Sequence, residues 1–167
     1  MKIKTRITQC TLRTSTEADI PLLLAFIREL AQYEKLLNEV TATEESLRES
    51  LFGARRSAEA LIADWEGKPA AFAVFFHNFS TFLGRPGLYL EDIYVKPELR
   101  GKGIGGTILA YLAKLAAERG CGRVEWAVLD WNAPALKFYR SIGAVPMTEW
   151  TVHRVAGGAL KLLAGKF

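Results

Sequence analysis

Residues 88–106, LYLEDIYVKPELRGKGIGG, constrain the chain more than any other stretch. Leu88 to Val95 is apolar or aromatic except for two acids, Glu91 and Asp92, and reads as a strand. Lys96 to Arg100 is a charged spacer. Gly101, Gly103, Gly105 and Gly106 follow, and a helix is expected from Ile104 to about Arg119, stopped by Gly120 and Gly122. Glycines let backbone N–H groups approach a ligand closely, and the positive end of the helix dipole faces whatever sits there. An anion cradle beside a carboxylate pair is therefore the centre of the functional reading.

Read in order, residues 1–9 are a short extension and Cys10–Thr14 is the first strand. Thr16 caps a helix with acids in its first turn, and Leu23, Phe26, Ile27, Leu30 and Ala31 recur at helical spacing to about Glu34. Thr43 caps a second helix that runs through Phe52 to Gly53. Residues 60–65 and 70–79 form a hairpin about Glu66-Gly67-Lys68. After the glycine turn and its helix come a strand at 124–129 and a short helix at 135–140 led by Asn132-Ala133-Pro134. Two further strands are expected near 145–148 and 150–155, and the tail at 159–163 is left unassigned. The order β-α-α-β-β-β-α-β-α-β-β implies one domain over 1–167, a mixed sheet with helices on both faces, of the α/β (α+β mixed sheet) class.

Bulk properties narrow the partners. A formal charge of +4 favours an anionic ligand, but no basic run exceeds Arg55-Arg56, so no nucleic-acid surface is expected. There is no apolar run of about 18 residues to span a membrane and no apolar h-region at the N-terminus, so a cytoplasmic protein is expected. Cys10 and Cys121 read as reduced structural thiols, and no Cys/His spacing suits a metal.

Gly101-x-Gly103-x-x-Gly106 matches a dinucleotide fingerprint, yet it follows a meander of strands, and Glu125 begins the next strand where the ribose-binding acid should end it. No Gly-Lys-Ser/Thr follows, which excludes a Walker A loop. Arg100-x-x-Gly103-x-Gly105 instead resembles the acyl-coenzyme A loop of the GNAT superfamily of N-acetyltransferases. The likeness extends to Trp131-Asn132-x-Pro134-Ala135-x-x-Phe138-Tyr139 and to Gly143-Ala144. Phe26–Glu34, Leu88–Asp92 and Trp131–Pro134 are similar to the spermidine/spermine (diamine) and thialysine acetyltransferase subgroup.

This resemblance implies acetyl transfer from acetyl-CoA to a primary amine of a small aliphatic molecule, with no metal, in a GNAT-like acyltransferase fold. The pyrophosphate would lie on the N–H groups of Gly101, Lys102, Gly103, Ile104, Gly105 and Gly106, with Arg100 and Lys102 adding charge. The pantetheine arm would pair along Ile93, Tyr94 and Val95, and Asn132 would bind the cofactor. Tyr139 would protonate the leaving thiolate. Glu91 and Asp92 would face the amine, with Glu91 favoured to take its proton through water. In a regular strand these adjacent acids would point to opposite faces, whereas a bulge would aim both at one cleft. Glu29, Tyr33 and Trp150 would line the amine pocket, with Glu34 and Glu39 adding to its acidity. Ser80-Thr81-Phe82-Leu83 lacks the acid and Trp expected of polyamine enzymes, which favours a shorter or thialysine-like amine. A homodimer is implied by the likeness alone. A non-catalytic acyl-CoA-binding module and a protein lysine or N-terminal acetyltransferase are the competing readings.

Overall fold

A computed structural model describes residues 2–167. Its six strands lie side by side in chain order: β1 (Lys2–Lys4), β2 (Cys10–Thr14), β3 (Glu59–Trp65), β4 (Lys68–Ser80), β5 (Arg85–Val95) and β6 (Val124–Trp126). The first four pairings are antiparallel, and β5 and β6 are parallel. Parallel neighbours need a crossover, and α3 (Ile104–Glu118) supplies it. The other helices are α1 (Ile20–Tyr33), α2 (Glu44–Phe52), α4 (Ala133–Ser141) and α5 (Gly157–Ala164). The chain separates into two compact units, one through Ala127 and one from Val128.

In the first unit the sheet carries a helix layer on each face. Ile20, Leu23, Phe26 and Leu30 of α1 pack with Leu51 of α2 on Ala60, Ile62, Phe72 and Tyr94. The Phe26 and Phe72 rings stack at 5.7 Å. The opposite face of β4 and β5 presents Ala71, Ala73, Phe75, Leu88 and Leu90, all buried. Helix α3 lies on this side, since a Cβ at Gly105 would stand 3.8 Å from Val95 Cγ2. The β3–β4 hairpin turns at Glu66 and Gly67, both with positive φ, as a tight turn between twisted strands requires.

Several boundaries depart from those expected. Residues 2–9, expected as part of an extension, are more than that: β1 pairs with β2 through Ile3 and Leu12, and the Thr5 hydroxyl donates to Ile7 and Cys10 carbonyls to close the turn. The strand expected at 124–129 ends at Trp126. The two strands expected near 145–148 and 150–155 are absent, so the observed order ends in α4 and α5. Val145, Met147, Trp150 and Val152 are exposed there, with no neighbouring strand to complete a ladder. Residues 157–164, left unassigned, are helical.

Arg13 ties the start of α1 to the sheet. Its guanidinium contacts Asp19 Oδ2 at 2.9 Å and Asp64 Oδ2 at 3.1 Å, and all three side chains are largely buried. Burial pushes the Asp19 carboxyl up, but hydrogen bonds from Arg13 and from the Thr16 backbone and hydroxyl outweigh it and hold it below the ordinary range. A lowered native pKa stabilises the fold above the unfolded value and is lost as pH falls through the native one. Replacing Arg13 leaves two buried carboxylates uncompensated. Arg13→Ala should lower unfolding stability by about 2–3 kcal/mol in urea titrations at neutral pH. A loss below about 0.5 kcal/mol, typical of surface substitutions, would show that the triad does not anchor the helix.

Candidate active site

The register of β5 changes at its acids. Leu90 stands opposite Phe75 and Asp92 opposite Val74, so Glu91 is an extra residue that faces no partner. It forms a bulge. Because of it, Asp92 and Tyr94 share a sheet face with Tyr89, while Ile93 and Val95 share the opposite face with Leu88 and Leu90.

The bulge also turns the backbone. Lys96 N–H donates to Ala70 O at 3.0 Å, which makes this a hydrogen-bonded pair and Val95–Ala71 a non-bonded one. By alternation, Ile93 and Val95 direct their N–H and C=O groups away from β4. On that side β6 pairs only with Leu88, Tyr89 and Leu90. The last part of β5 therefore has an open edge where Ile93 and Val95 are the outward residues, and Tyr94 faces β4.

This edge leads to the glycine turn. Gly101 and Gly103 have φ of 77° and 83°, the left-handed region that glycine adopts without strain. Gly103 is the N-cap of α3 and has no side chain to cap it. Its carbonyl accepts from Thr107 N–H at 2.9 Å, so the N–H groups of Gly103, Ile104, Gly105 and Gly106 have no acceptor within the helix. A Cβ at Gly101 would meet nothing within 4 Å. Open approach, unused donors and the dipole suit a pyrophosphate or another polyanion. Gly105 and Gly106 belong to the first turn of α3 itself.

The flanking cations are held by the fold. Arg100 Nε donates to Val95 O at 3.1 Å, and its guanidinium carbon lies 4.4 Å from the Tyr33 ring centroid and 5.7 Å from that of Tyr94. Arg100 is thus a clasp between the end of α1 and the β5 edge. Lys102 Nζ lies 5.2 Å over the Trp65 ring. Neither Trp65 nor Ile7, whose Cδ1 would be 2.9 Å from a Cβ at Gly103, was legible as part of this loop. Both come from elements distant in sequence.

The acids gather on the other face. Asp92 is half-buried, and burial, with the charges of Glu91 and Glu34, pushes its carboxyl up to about 6. Burial raises the Glu34 carboxyl as well. Glu91 is exposed at the bulge. Glu29 is engaged elsewhere: burial and a hydrogen bond to Glu29 push the Tyr94 phenol up to about 12. Tyr33 packs against the α1 core beneath Arg100. Glu34, at the C-terminal cap of α1, is therefore the α1 acid whose charge reaches Asp92.

Three candidates lie in the unit from Val128. Asn132 caps α4, its Oδ1 accepting from Ala135 N–H at 3.3 Å. Tyr139 lies on α4, its ring 5.6 Å from that of Phe138. Trp150 is exposed, in a turn closed by its N–H to Met147 O.

Comparison with known proteins shows the family. The acetyltransferase (GNAT) family model matches residues 25–144. The chain is 40% identical over 166 aligned residues to thialysine N-epsilon-acetyltransferase of Bos taurus, covering 93% of this chain and 97% of that one. It is 29% identical to L-ornithine N5-acetyltransferase of Arabidopsis thaliana, covering 91% and 86%. Among solved structures, an integron cassette protein from the mobile metagenome of V. cholerae superposes with a TM-score of 0.78 at 28% identity, covering 93% of this chain and 98% of that one. The chain belongs to the GNAT family and is an N-acetyltransferase.

Proposed function

We propose that the protein transfers the acetyl group of acetyl-CoA to the terminal primary amine of a small aliphatic molecule, an α,ω-diamino acid of the thialysine or ornithine type or a short diamine. The observation that carries this reading is the open edge of β5 running into an uncapped helix N-terminus. An extended pantetheine arm adds to that edge as a short strand, and the pyrophosphate takes the N–H groups of Gly103 to Gly106. An N–H of Ile93 or Val95 then polarises the thioester carbonyl. The named substrates of the relatives, thialysine and ornithine, support the amine class.

On the amine side, Asp92 is better suited than Glu91 to receive the ammonium proton. A carboxyl near 6 is a stronger base than an ordinary Asp, and Asp92 is sheltered where Glu91 is exposed. Glu91 and Glu34 hold the cationic substrate beside it. Tyr139 donates the proton that the departing sulfur takes up. A phenol near pKa 10 and a thiol near 8.5 are close enough for that transfer. Its support is its place in the Asn132-x-Pro134-x-x-x-Phe138-Tyr139 segment, whose helix Asn132 caps. We further propose a homodimer, as the family likeness implies.

Two outcomes test these roles. Tyr139→Phe should lower kcat about 100-fold while leaving the thermal shift produced by CoA within error; an unchanged kcat would remove Tyr139 from the acid role. A proton acceptor must be ionised, so kcat/KM should rise with pH through about 6. Asp92→Asn should abolish that limb and lower the plateau. A limb that persists in Asp92→Asn would assign the base to another group.

A further inference from the structure

Beyond the acids, the same face of the sheet carries a cluster that the acetyl-transfer chemistry does not use. Two cross-strand rows run over β4, β5 and β6. One row is Phe76, Tyr89 and Glu125; the other is Asn78 and Gly87, with Arg123 next to them just before β6. The Phe76 and Tyr89 rings meet at 5.2 Å. Arg123 Nε stands 2.8 Å from Glu125 Oε2, an ion pair without hydrogen-bond alignment. Asn78 Nδ2 donates to the same Glu125 oxygen at 2.8 Å.

Glycine at position 87 makes this convergence possible. A Cβ there would lie 2.3 Å from Asn78 Oδ1 and 3.2 Å from Arg123 Cγ. Polar capacity is nevertheless left over. Asn78 Oδ1 is buried with no donor, and among the described residues no acceptor takes a hydrogen bond from the Arg123 guanidinium. The Arg123 and Glu125 side chains remain 36% and 34% exposed, open to a ligand. A guanidinium fork with unused donors suits a carboxylate, and the exposed part of the Glu125 carboxylate suits an ammonium.

The cluster also lies in register with the acids. Tyr89 is close enough to both carboxylates that, after burial, Glu91 and then Glu125 push its phenol up. From Asp92 to Tyr89, the row of Glu125, is about 7–10 Å along the bulged strand, the reach of a lysine-type side chain with a hydrogen bond at each end, and Arg123 extends from the Gly87 row to within 2.8 Å of Glu125. The aromatic pair forms an apolar floor between the two charged ends, as methylenes prefer.

We infer that Arg123 and Glu125, positioned by Asn78, form a subsite for the zwitterionic head of an α-amino acid whose ω-amine reaches Asp92. Arg123 takes the α-carboxylate, while Glu125, held by Asn78 Nδ2, takes the α-ammonium. This deepens the acetyltransferase reading and rests on it. It predicts a preference for an amino acid over the matching diamine, set by residues outside the acetyl-transfer machinery.

The test compares L-ornithine with 1,4-diaminobutane, its carboxylate-free counterpart, as acceptors for the full chain with acetyl-CoA, read as thiol release. Arg123→Gln should raise KM for ornithine tenfold or more, at about the strength of a charge-assisted hydrogen bond, and leave that for the diamine within about twofold. The ratio of the two kcat/KM values is insensitive to partial misfolding, and Arg123→Lys should restore part of it. Equal losses on both substrates would overturn the subsite. Turnover of the diamine but not of ornithine by the unaltered chain would overturn it too, leaving the acetyltransferase reading intact. No turnover of either would contradict that reading and the subsite with it.

Discussion

One extra residue in β5 governs both sides of the site. Without the bulge at Glu91, the alternation set by Leu88 and Leu90 would continue, and Asp92 and Tyr94 would occupy the face and edge that Ile93 and Val95 hold. The carboxylate would then lie on the α3 face of the sheet, among positions as buried as Leu88 and Leu90. An uncompensated buried carboxylate is expensive, so the register slip and the position of Asp92 are linked. The same slip points two backbone amides at the open edge.

Charges are distributed so that the two halves of the site differ. On the glycine side, cations are restrained: Arg100 is held by a carbonyl and two rings, and Lys102 by Trp65. The donors left for an anion are mainly backbone N–H groups, which need no reorganisation when it binds. On the other face, the charges of Glu91 and Glu34 add to burial in opposing ionisation of Asp92, and that cost is relieved either by a proton or by a cation beside it. In the proposed reaction a positively charged amine competes with the proton on Asp92, so that binding of the amine would ionise the group proposed to deprotonate it.

Much of this was legible in the sequence because it is local. The N-cap Thr43, the start of α4 at Asn132-Ala133-Pro134, the glycine turn before α3, and the apolar spacing of α1 are each decided within a few residues, and all appear as expected. The acids in an apolar strand signalled a site, and the bulge was one of two open readings. Partners set across strands were not legible. Nothing near Glu29 in the chain points to Tyr94, nothing near Arg100 to Tyr33, and nothing near Arg123 to Asn78 and Gly87. The strands expected after Gly143 failed for the same reason: an alternating pattern gives only the capacity to pair, and a ladder needs a neighbour.

The dependence of the cofactor site on the bulge can be measured one amide at a time. Hydrogen exchange by NMR, with and without CoA, reads each backbone N–H of β5 and of the first turn of α3. The expected result is that CoA slows exchange at Ile93 or Val95 and at Gly103 to Gly106, while Tyr94, already paired with β4, changes little. Unchanged exchange at both Ile93 and Val95, or protection confined to Asp92 and Tyr94, would contradict the proposal that the bulge presents this edge to the cofactor.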